Sequence, residues 1–190
     1  MMGAVINPIL LNIPDQIETT RLLLRVPRAG DGQIVAASVR DSLIDLKKWL
    51  PWATDAYDHH AGEEWCRRMS SEFISRTQLG YAIFDREQRA HLGSISAFRF
   101  DWQVPSGEIG YWLNTGWYGQ GLMTEAVQAL TEMLRDVLKF HRIEIRCDDR
   151  NVQSAKVAER SGYQLEGILR NDCRTHLGEL RNSRIYSLIC

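Results

Sequence analysis

The feature that most constrains this chain is a strand, a glycine turn and a long amphipathic helix within residues 107–138. Residues 108–113 have strand character, and the turn after them contains Gly119 and Gly121. The first N–H groups of a helix lack internal partners and attract anions, and glycines allow a ligand close to the backbone. The pattern therefore predicts a cradle for a phosphorylated cofactor. The apolar residues of this helix are Leu122, Met123, Ala126, Val127, Leu130, Met133, Leu134, Val137 and Leu138.

The glycine spacing limits which cofactor this is. The chain contains no G-x-x-x-x-G-K-[ST] motif, and no G-x-G-x-x-G opens a βαβ unit. These absences argue against nucleoside triphosphates and nicotinamide cofactors. A lone G-x-G before a helix also occurs as a simple tight turn, so this segment alone leaves both interpretations open.

Bulk properties narrow the class of protein. With 190 residues, 44% of them apolar, we expect one domain over residues 1–190. A net charge of −1 argues against nucleic-acid binding, and no apolar run is long enough to predict a membrane span. The four cysteines are scattered without metal-site spacing, which predicts no metal and a reducing cytoplasm as the location.

Hydrophobic periodicity predicts the order β-α-α-β-β-β-α-β-α-β-β, which is a mixed sheet with helices packed on it. In the first helix we expect Ile34, Ala37, Leu43, Leu46 and Trp49 in the core, and in the second we expect Trp65, Met69, Phe73 and Ile74. The predicted strands are 17–26, 81–84, 91–100, 108–113, 142–147, 163–169 and 183–189. The predicted helices are 31–49, with a possible break near 41–42, then 62–77, the long helix after Gly121, and 151–160 with Asn151 at its N-cap position.

Five motifs lie on these elements in an order that resembles the GNAT superfamily of acyl-CoA N-acyltransferases, and within it the RimJ/RimL type. They are E-T-T-R-L-L-L-R at 18–25, W-L-P-W at 49–52, E-I-G-Y-W-L at 108–113, G-x-G at 119–121 and N-x-x-S-x-x-V-x-E-R-x-G-Y at 151–163. The resemblance implies a GNAT fold of the α/β (α+β mixed) class, with a mixed, mostly antiparallel sheet of about seven strands and helices on both faces. It also implies acetyl-CoA as co-substrate.

The resemblance also implies roles for particular residues. Glu108 would act as a base on the amine, and Ser154 would donate to the leaving sulfur. Trp49 and Trp52 would wall the acceptor pocket. The residues implied to bind the coenzyme are Trp112, Leu113, Tyr118, Gly119, Gln120, Gly121, Leu122, Met123, Thr124, Asn151 and Ser154.

Each role has a plainer alternative. Glu108 can be solvated or paired with an arginine, Ser154 can bond only to backbone groups, and the two tryptophans can belong to the core. Lys156 and Arg160, four residues apart, fit a solvated helix face better than a phosphate site.

Two positions depart from the family pattern. Gly116 stands where glutamine or arginine is usual before the G-x-G turn. Ala158 stands where many members carry a tyrosine proposed to protonate the leaving thiolate. The first departure weakens the coenzyme site modestly, since main-chain amides hold the pyrophosphate. The second leaves Ser154 as the hydroxyl near the thioester.

The implied reaction is attack of a neutral amine on a thioester. A protein α-amine with a pKa near 8 is roughly 30% neutral around pH 7.5, whereas a lysine near 10.4 is about 0.1% neutral and costs roughly 4 kcal/mol. We therefore expect a protein N-terminal amine as acceptor, of the ribosomal-protein type. A small-molecule amine and a non-catalytic acyl-CoA sensor are the alternatives. By resemblance, a homodimer is possible.

Overall fold

The computed structural model describes residues 7–175 and 178–190, which fold around an eight-stranded sheet. The expected domain 1–190 therefore includes two segments, 1–6 and 176–177, that lie outside the described residues. The strands are β1 Gln16–Glu18, β2 Leu22–Arg25, β3 Leu79–Asp85, β4 His91–Asp101, β5 Ser106–Leu113, β6 Arg142–Asp148, β7 Gln164–Arg174 and β8 Leu180–Ile189. The α-helices are α1 Gly32–Asp41, α2 Leu43–Leu46, α3 His59–Ser75, α4 Leu122–Asp136 and α5 Val152–Arg160, and short 3-10 turns span Pro8–Leu10 and Thr115–Trp117.

The sheet order is β1-β2-β3-β4-β5-β6-β8-β7, and the pairs are antiparallel except for the parallel pair β5–β6. The β5–β6 register ends at Ile109 opposite Ile145, although β5 continues to Leu113 and β6 to Asp148. The two strands therefore stop pairing before they end. The predicted mixed, mostly antiparallel sheet is confirmed.

Helices lie on both faces of the sheet, as predicted. Neighbouring side chains of a strand point to opposite faces, and on β5 they meet different helices. Trp112 packs in a cluster with Val39 of α1, whereas Leu113 belongs to the main core with Leu122 of α4. α1 and α3 therefore cover one face, where a Cβ on Gly80 would meet Met69 of α3.

Several predicted boundaries differ from the structure. The single strand expected at 17–26 was wrong: β1 and β2 form a hairpin, closed by Thr19, whose Oγ1 accepts from Leu22 N at 2.9 Å. This turn contains no glycine or proline, so the sequence had no signal that would divide the predicted strand into two. The break near 41–42 is confirmed by the end of α1. α3 begins three residues earlier than expected, after Asp58, whose carboxylate accepts from Ala61 N at 2.9 Å.

Some predicted core positions were also wrong. α1 buries Val35, Ala36 and Val39 rather than Ile34 and Ala37. The reason is the orientation of α1 against α3: a Cβ on Gly62 would lie 3.3 Å from the Ala36 Cβ, so the side of α1 with Ala36 faces α3. Ile34 and Ala37 are left half-exposed.

Leu46, Met69 and Phe73 are buried as predicted, whereas Ile74 is 66% exposed. Val137, among the apolar residues expected on the long helix, follows the last residue of α4 and is 48% exposed.

The contact between α1 and α3 depends on two glycines. A Cβ on Gly62 would lie 2.4 Å from the Gly32 carbonyl oxygen, and a Cβ on Gly32 would lie 2.5 Å from the Glu63 backbone nitrogen. The Glu63 carboxylate accepts from Gly30 N at 2.9 Å and from Gly32 N at 3.3 Å. It therefore satisfies amides at the start of α1, while the glycines let the backbones touch.

Across residues 7–175 and 178–190, no helix is both long and apolar enough to cross a bilayer. In the same part of the chain, no group of three or more His, Cys, Asp or Glu side chains is arranged to hold a metal ion.

Replacing Gly62 with alanine should destabilise the fold. The added Cβ would lie 2.4 Å from the Gly32 carbonyl oxygen, and such overpacking typically costs about 1–3 kcal/mol. Urea denaturation followed by circular dichroism measures the loss. Gly167→Ala is the matched control, because no atom lies within 4 Å of the position its Cβ would take. Equal midpoints for the two variants would contradict this account of the helix contact.

Candidate active site

Two adjoining cavities lie at the point where β5 and β6 stop pairing. The first, of about 370 Å³, is lined by the ends of both strands, the turn before α4, the first residues of α4, and α5. The second, of about 710 Å³, is lined by α3, β4 and β5. Leu50, Tyr111 and Trp112 line both cavities. The two spaces therefore meet across β5, and we call them the first and second cavity below.

The glycine turn presents backbone amides to the first cavity. Gly119 and Gly121 adopt the left-handed φ values of 76° and 75°, and nothing lies within 4 Å of the position that a Cβ on Gly119 would take. The first α4 hydrogen bond runs from Glu125 N to the Gly121 carbonyl at 3.1 Å. The amides of Leu122, Met123 and Thr124 precede that bond, so they have no intrahelical acceptor. All three residues line the cavity, and unpartnered amides at a helix N-terminus are suited to an anionic group.

The β1–β2 turn holds this glycine turn in place. Arg21 donates from Nη1 to the Gln120 carbonyl at 2.8 Å and from Nε to the Glu125 carboxylate at 2.7 Å. Thr19 Oγ1 donates to the same carboxylate at 2.6 Å. Glu125 also places a negative charge in the first turn of α4, where the helix dipole favours it. The E-T-T-R motif at 18–21 therefore positions the turn that the G-x-G motif forms.

The start of α5 forms another wall of the first cavity. Asn151 caps the helix as predicted, with its Oδ1 accepting from Ser154 N at 3.1 Å. Ser154 Oγ donates to the Tyr111 hydroxyl at 3.2 Å, and that hydroxyl donates to the Ser154 carbonyl at 3.1 Å. The Ser154 hydroxyl is therefore hydrogen-bonded to another side chain, whereas the alternative from sequence had it bonding only to backbone groups.

Four cationic side chains border the first cavity: Arg146, Lys156, Arg160 and Arg181. From sequence, Lys156 and Arg160 were expected on a solvated helix face rather than at a phosphate site, and both are exposed. Their spacing of four residues puts them on one side of α5, and the structure turns that side toward the cavity. This end of the site is suited to a phosphate group, because its charges oppose those of the ligand.

Glu108 lies on β5 beside the site but lines neither cavity. Its carboxylate accepts from Arg99 Nη1 at 2.8 Å and pairs with Arg146 Nε at 3.3 Å. Burial raises the pKa of the Glu108 carboxyl above its usual value, although the two guanidiniums oppose that shift. Glu108 is therefore paired with arginines, as one of the alternatives from sequence expected. The role of Glu108 as a base stays a prediction.

The two tryptophans expected to wall an acceptor pocket line different cavities. Trp49 lines the first cavity, whereas Trp52 lines the second. The Trp52 ring lies 6.0 Å from the Trp112 ring and 5.7 Å from the Tyr57 ring. Trp52 therefore belongs to an aromatic wall.

The structure brings most of the predicted coenzyme residues to one place. Gln120 does not line the first cavity, because its carbonyl faces Arg21. Those that line the cavity are Trp112, Leu113, Tyr118, Gly119, Gly121, Leu122, Met123, Thr124, Asn151 and Ser154.

Sequence reasoning missed Tyr111 and most of the second cavity. Tyr111 has no predicted role beyond its place in the E-I-G-Y-W-L motif. Ser94 and Ser96 have none beyond their place in the predicted strand 91–100. The available signal was strand alternation, which puts Ser94, Ser96 and Gly110 on the face that also carries Trp112. These small residues leave space beneath the helices of that face.

Comparison with known proteins agrees with this geometry. Residues 21–164 match the family described as acetyltransferase (GNAT) domain. The ribosomal-protein-serine acetyltransferase of Escherichia coli is 34% identical over 128 residues, which cover 65% of this chain and 70% of that protein. The ribosomal protein uS5-alanine N-acetyltransferase of Escherichia coli is 25% identical over 167 residues, 84% of each chain.

The fold has a close counterpart among solved structures. The ribosomal L7/L12 alpha-N-protein acetyltransferase RimL in complex with coenzyme A superposes with a TM-score of 0.84 at 23% identity, covering 92% of this chain and 97% of that one. This superposition shows the same fold. Because the family match covers most of the sequence and the ribosomal-protein-serine acetyltransferase is 34% identical, the protein is a member of the GNAT family, an acetyltransferase of the RimJ/RimL type that uses acetyl-CoA as its acetyl donor.

Proposed function

We propose that residues 1–190 form a single N-acetyltransferase domain that acetylates the N-terminal α-amine of a protein, of the ribosomal-protein type, in the cytoplasm. Acetyl-CoA would occupy the first cavity and the acceptor the second. The observation that carries this proposal is that Tyr111 and Trp112 line both cavities. A thioester in one space and an amine in the other would meet at these residues. The names of the two Escherichia coli relatives support the choice of acceptor.

The second cavity has features of a peptide site. Trp52, Tyr57 and Trp65 give it rigid aromatic walls, and its volume of about 710 Å³ admits more than a single amine group. Its floor is formed partly by Ser94 and Ser96, which are buried at 7% and 9% exposure. An acceptor would therefore meet apolar walls and a polar floor.

The charges of the second cavity favour a protein N-terminus over a polyamine or an aminoglycoside. Glu64, Arg68 and Glu72 follow one another at four-residue intervals along α3, and all three line the cavity. Two acids and one base make it only weakly acidic. A polycation would gain more from a strongly acidic lining.

The residues supply the three requirements of acetyl transfer. The amides of Leu122 to Thr124 would hold the coenzyme diphosphate, and the hydroxyl of Ser154 would donate to the leaving sulfur. Glu108 would accept the proton of the amine through water. A protein α-amine needs only modest help, because a substantial fraction is already neutral near pH 7.5. The Ser154 contact with Tyr111 also argues for an enzyme rather than a non-catalytic acyl-CoA sensor.

We also propose a homodimer. β7 is the last strand of the sheet, and among residues 7–175 and 178–190 no strand pairs with its outer edge. Leu165, Ile168 and Leu169 on this strand are 44–48% exposed. An exposed strand edge with apolar side chains is suited to association with a second copy.

An acceptor panel tests the proposed function. The protein is mixed with acetyl-CoA and either short peptides beginning with serine or alanine, polyamines, or aminoglycosides, and the release of free thiol is followed. We expect turnover with the peptides and a mass increase at their α-amine. A lysine-containing peptide with a blocked N-terminus is the control and should stay unmodified. Turnover with small amines alone, or binding without thiol release, would contradict the proposal.

Replacing Glu108 with glutamine should lower kcat at neutral pH. Burial raises the pKa of this carboxyl above that of an ordinary glutamate. As the pH falls, the carboxylate is therefore protonated, and stops acting as a base, at a higher pH than an ordinary glutamate would be. The wild-type rate should therefore decline on the acidic side, and the variant should lose this limb. Glu144→Gln is the matched control, since Glu144 also pairs with Arg146 and lies opposite Glu108 in the β5–β6 pair. An unchanged profile for Glu108→Gln removes it from the mechanism.

A further inference from the structure

The hydroxyl of Tyr111 lies beside Ser154 and has no role in the acetyl transfer proposed above. Tyr111 is half-buried on β5 beyond the last residue paired with β6, and it lines both cavities. Its hydroxyl contacts Ser154 Oγ at 3.2 Å and the Ser154 carbonyl at 3.1 Å. The phenol therefore joins the strand that separates the two substrates to the residue placed near the leaving sulfur.

The helix that carries Ser154 offers no second hydroxyl at Ala158. That residue is fully buried, and its methyl group has no proton to donate. A serine hydroxyl alone is a weak hydrogen-bond donor to a thiolate. It becomes a better donor when its own oxygen accepts a hydrogen bond, because linked hydrogen bonds polarise one another. Tyr111 is within reach to supply that bond.

The hydroxyl pair can reverse its direction without moving any heavy atom. In the structure Ser154 Oγ donates to Tyr111, but each hydroxyl carries one rotatable proton and can also accept. If Tyr111 turns its proton from the Ser154 carbonyl to Ser154 Oγ, it gives up the carbonyl bond and the Ser154 proton becomes free to point into the first cavity. Burial raises the pKa of Tyr111 above its usual value, so the phenol keeps its proton and remains a donor.

We infer that Tyr111 is a positioning residue that acts through Ser154 on the leaving group, an inference that rests on the proposed acetyl transfer. The amine nitrogen attacks the thioester carbon, the C–N bond forms, and the C–S bond breaks with its electron pair on sulfur. Ser154 donates a hydrogen bond to that sulfur while Tyr111 donates to Ser154 Oγ. The amine loses its proton to Glu108 or water, and the thiolate takes a proton from water.

A purely structural role makes a different prediction. The Tyr111 hydroxyl also links β5 to α5. If this link were its only role, its loss would lower the free energy of unfolding and would not affect how Ser154 acts on the leaving group. Kinetic losses from Tyr111→Phe and Ser154→Ala would then add in the double variant. If the two residues act as one unit, their losses do not add.

The test is a double-mutant cycle with acetyl-CoA and an accepted peptide. We expect Tyr111→Phe to lower kcat about tenfold, a barrier increase of about 1.4 kcal/mol, with the KM for acetyl-CoA changed less than twofold. Ser154→Ala should lower kcat at least as much. The double variant should be no slower than Ser154→Ala alone. Full activity of Tyr111→Phe, or a double loss equal to the product of the single losses, overturns the inference.

Tyr163→Phe is the matched control. Tyr163 is a buried tyrosine outside both cavities, and its hydroxyl contacts Thr131 Oγ1 at 2.7 Å. This variant should lose stability without losing kcat. If Tyr111→Phe does not fold, a fluorotyrosine at position 111 keeps the ring and strengthens the donor. An unchanged kcat for it contradicts the inference. A wild-type enzyme inactive with every acceptor instead refutes the proposed function itself.

Discussion

The parallel pairing of β5 with β6, in a sheet that is otherwise antiparallel, determines where the site lies. Parallel neighbours need a crossover, and here the crossover contains α4. The chain therefore leaves the carboxyl end of β5 into one helix and the carboxyl end of β6 into another, α5. Both helices begin beside the place where pairing stops at Ile109 and Ile145. Unpaired strand ends and helix N-termini meet there, which is where open α/β sheets bind ligands.

The same arrangement gives the site two unlike ends. The amides of Leu122 to Thr124 and the cations of α5 border the first cavity, so an anionic ligand is favoured there. The second cavity lies under α3 and has aromatic walls with one base between two acids. β5 separates the two and presents Tyr111 and Trp112 to both. One strand therefore defines both the position of the donor and the position of the acceptor.

Much of this was predictable from sequence where local chemistry fixes local structure. The glycine turn at 119–121 and the Asn151 cap each specify their own backbone, and both predictions are confirmed. The apolar stripe of α4 is buried from Leu122 to Leu134 but not at Val137. What the sequence could not give depends on contacts between distant segments. The turn at Thr19 to Arg21 has no glycine or proline, and its role appears only when Arg21 reaches Gln120 and Glu125. Likewise, Tyr111 meets Ser154 across 43 positions of sequence.

Binding of the coenzyme diphosphate by the amides at the start of α4 can be observed residue by residue. The ¹⁵N-labelled protein is titrated with coenzyme A, and the amide chemical shifts are followed. If these amides hold the diphosphate, the largest shifts fall on Gly119 and on Leu122 to Thr124, and pantetheine without phosphates leaves them nearly unchanged. Shifts confined to other parts of the chain, or no shifts at saturating coenzyme A, would contradict binding at these amides.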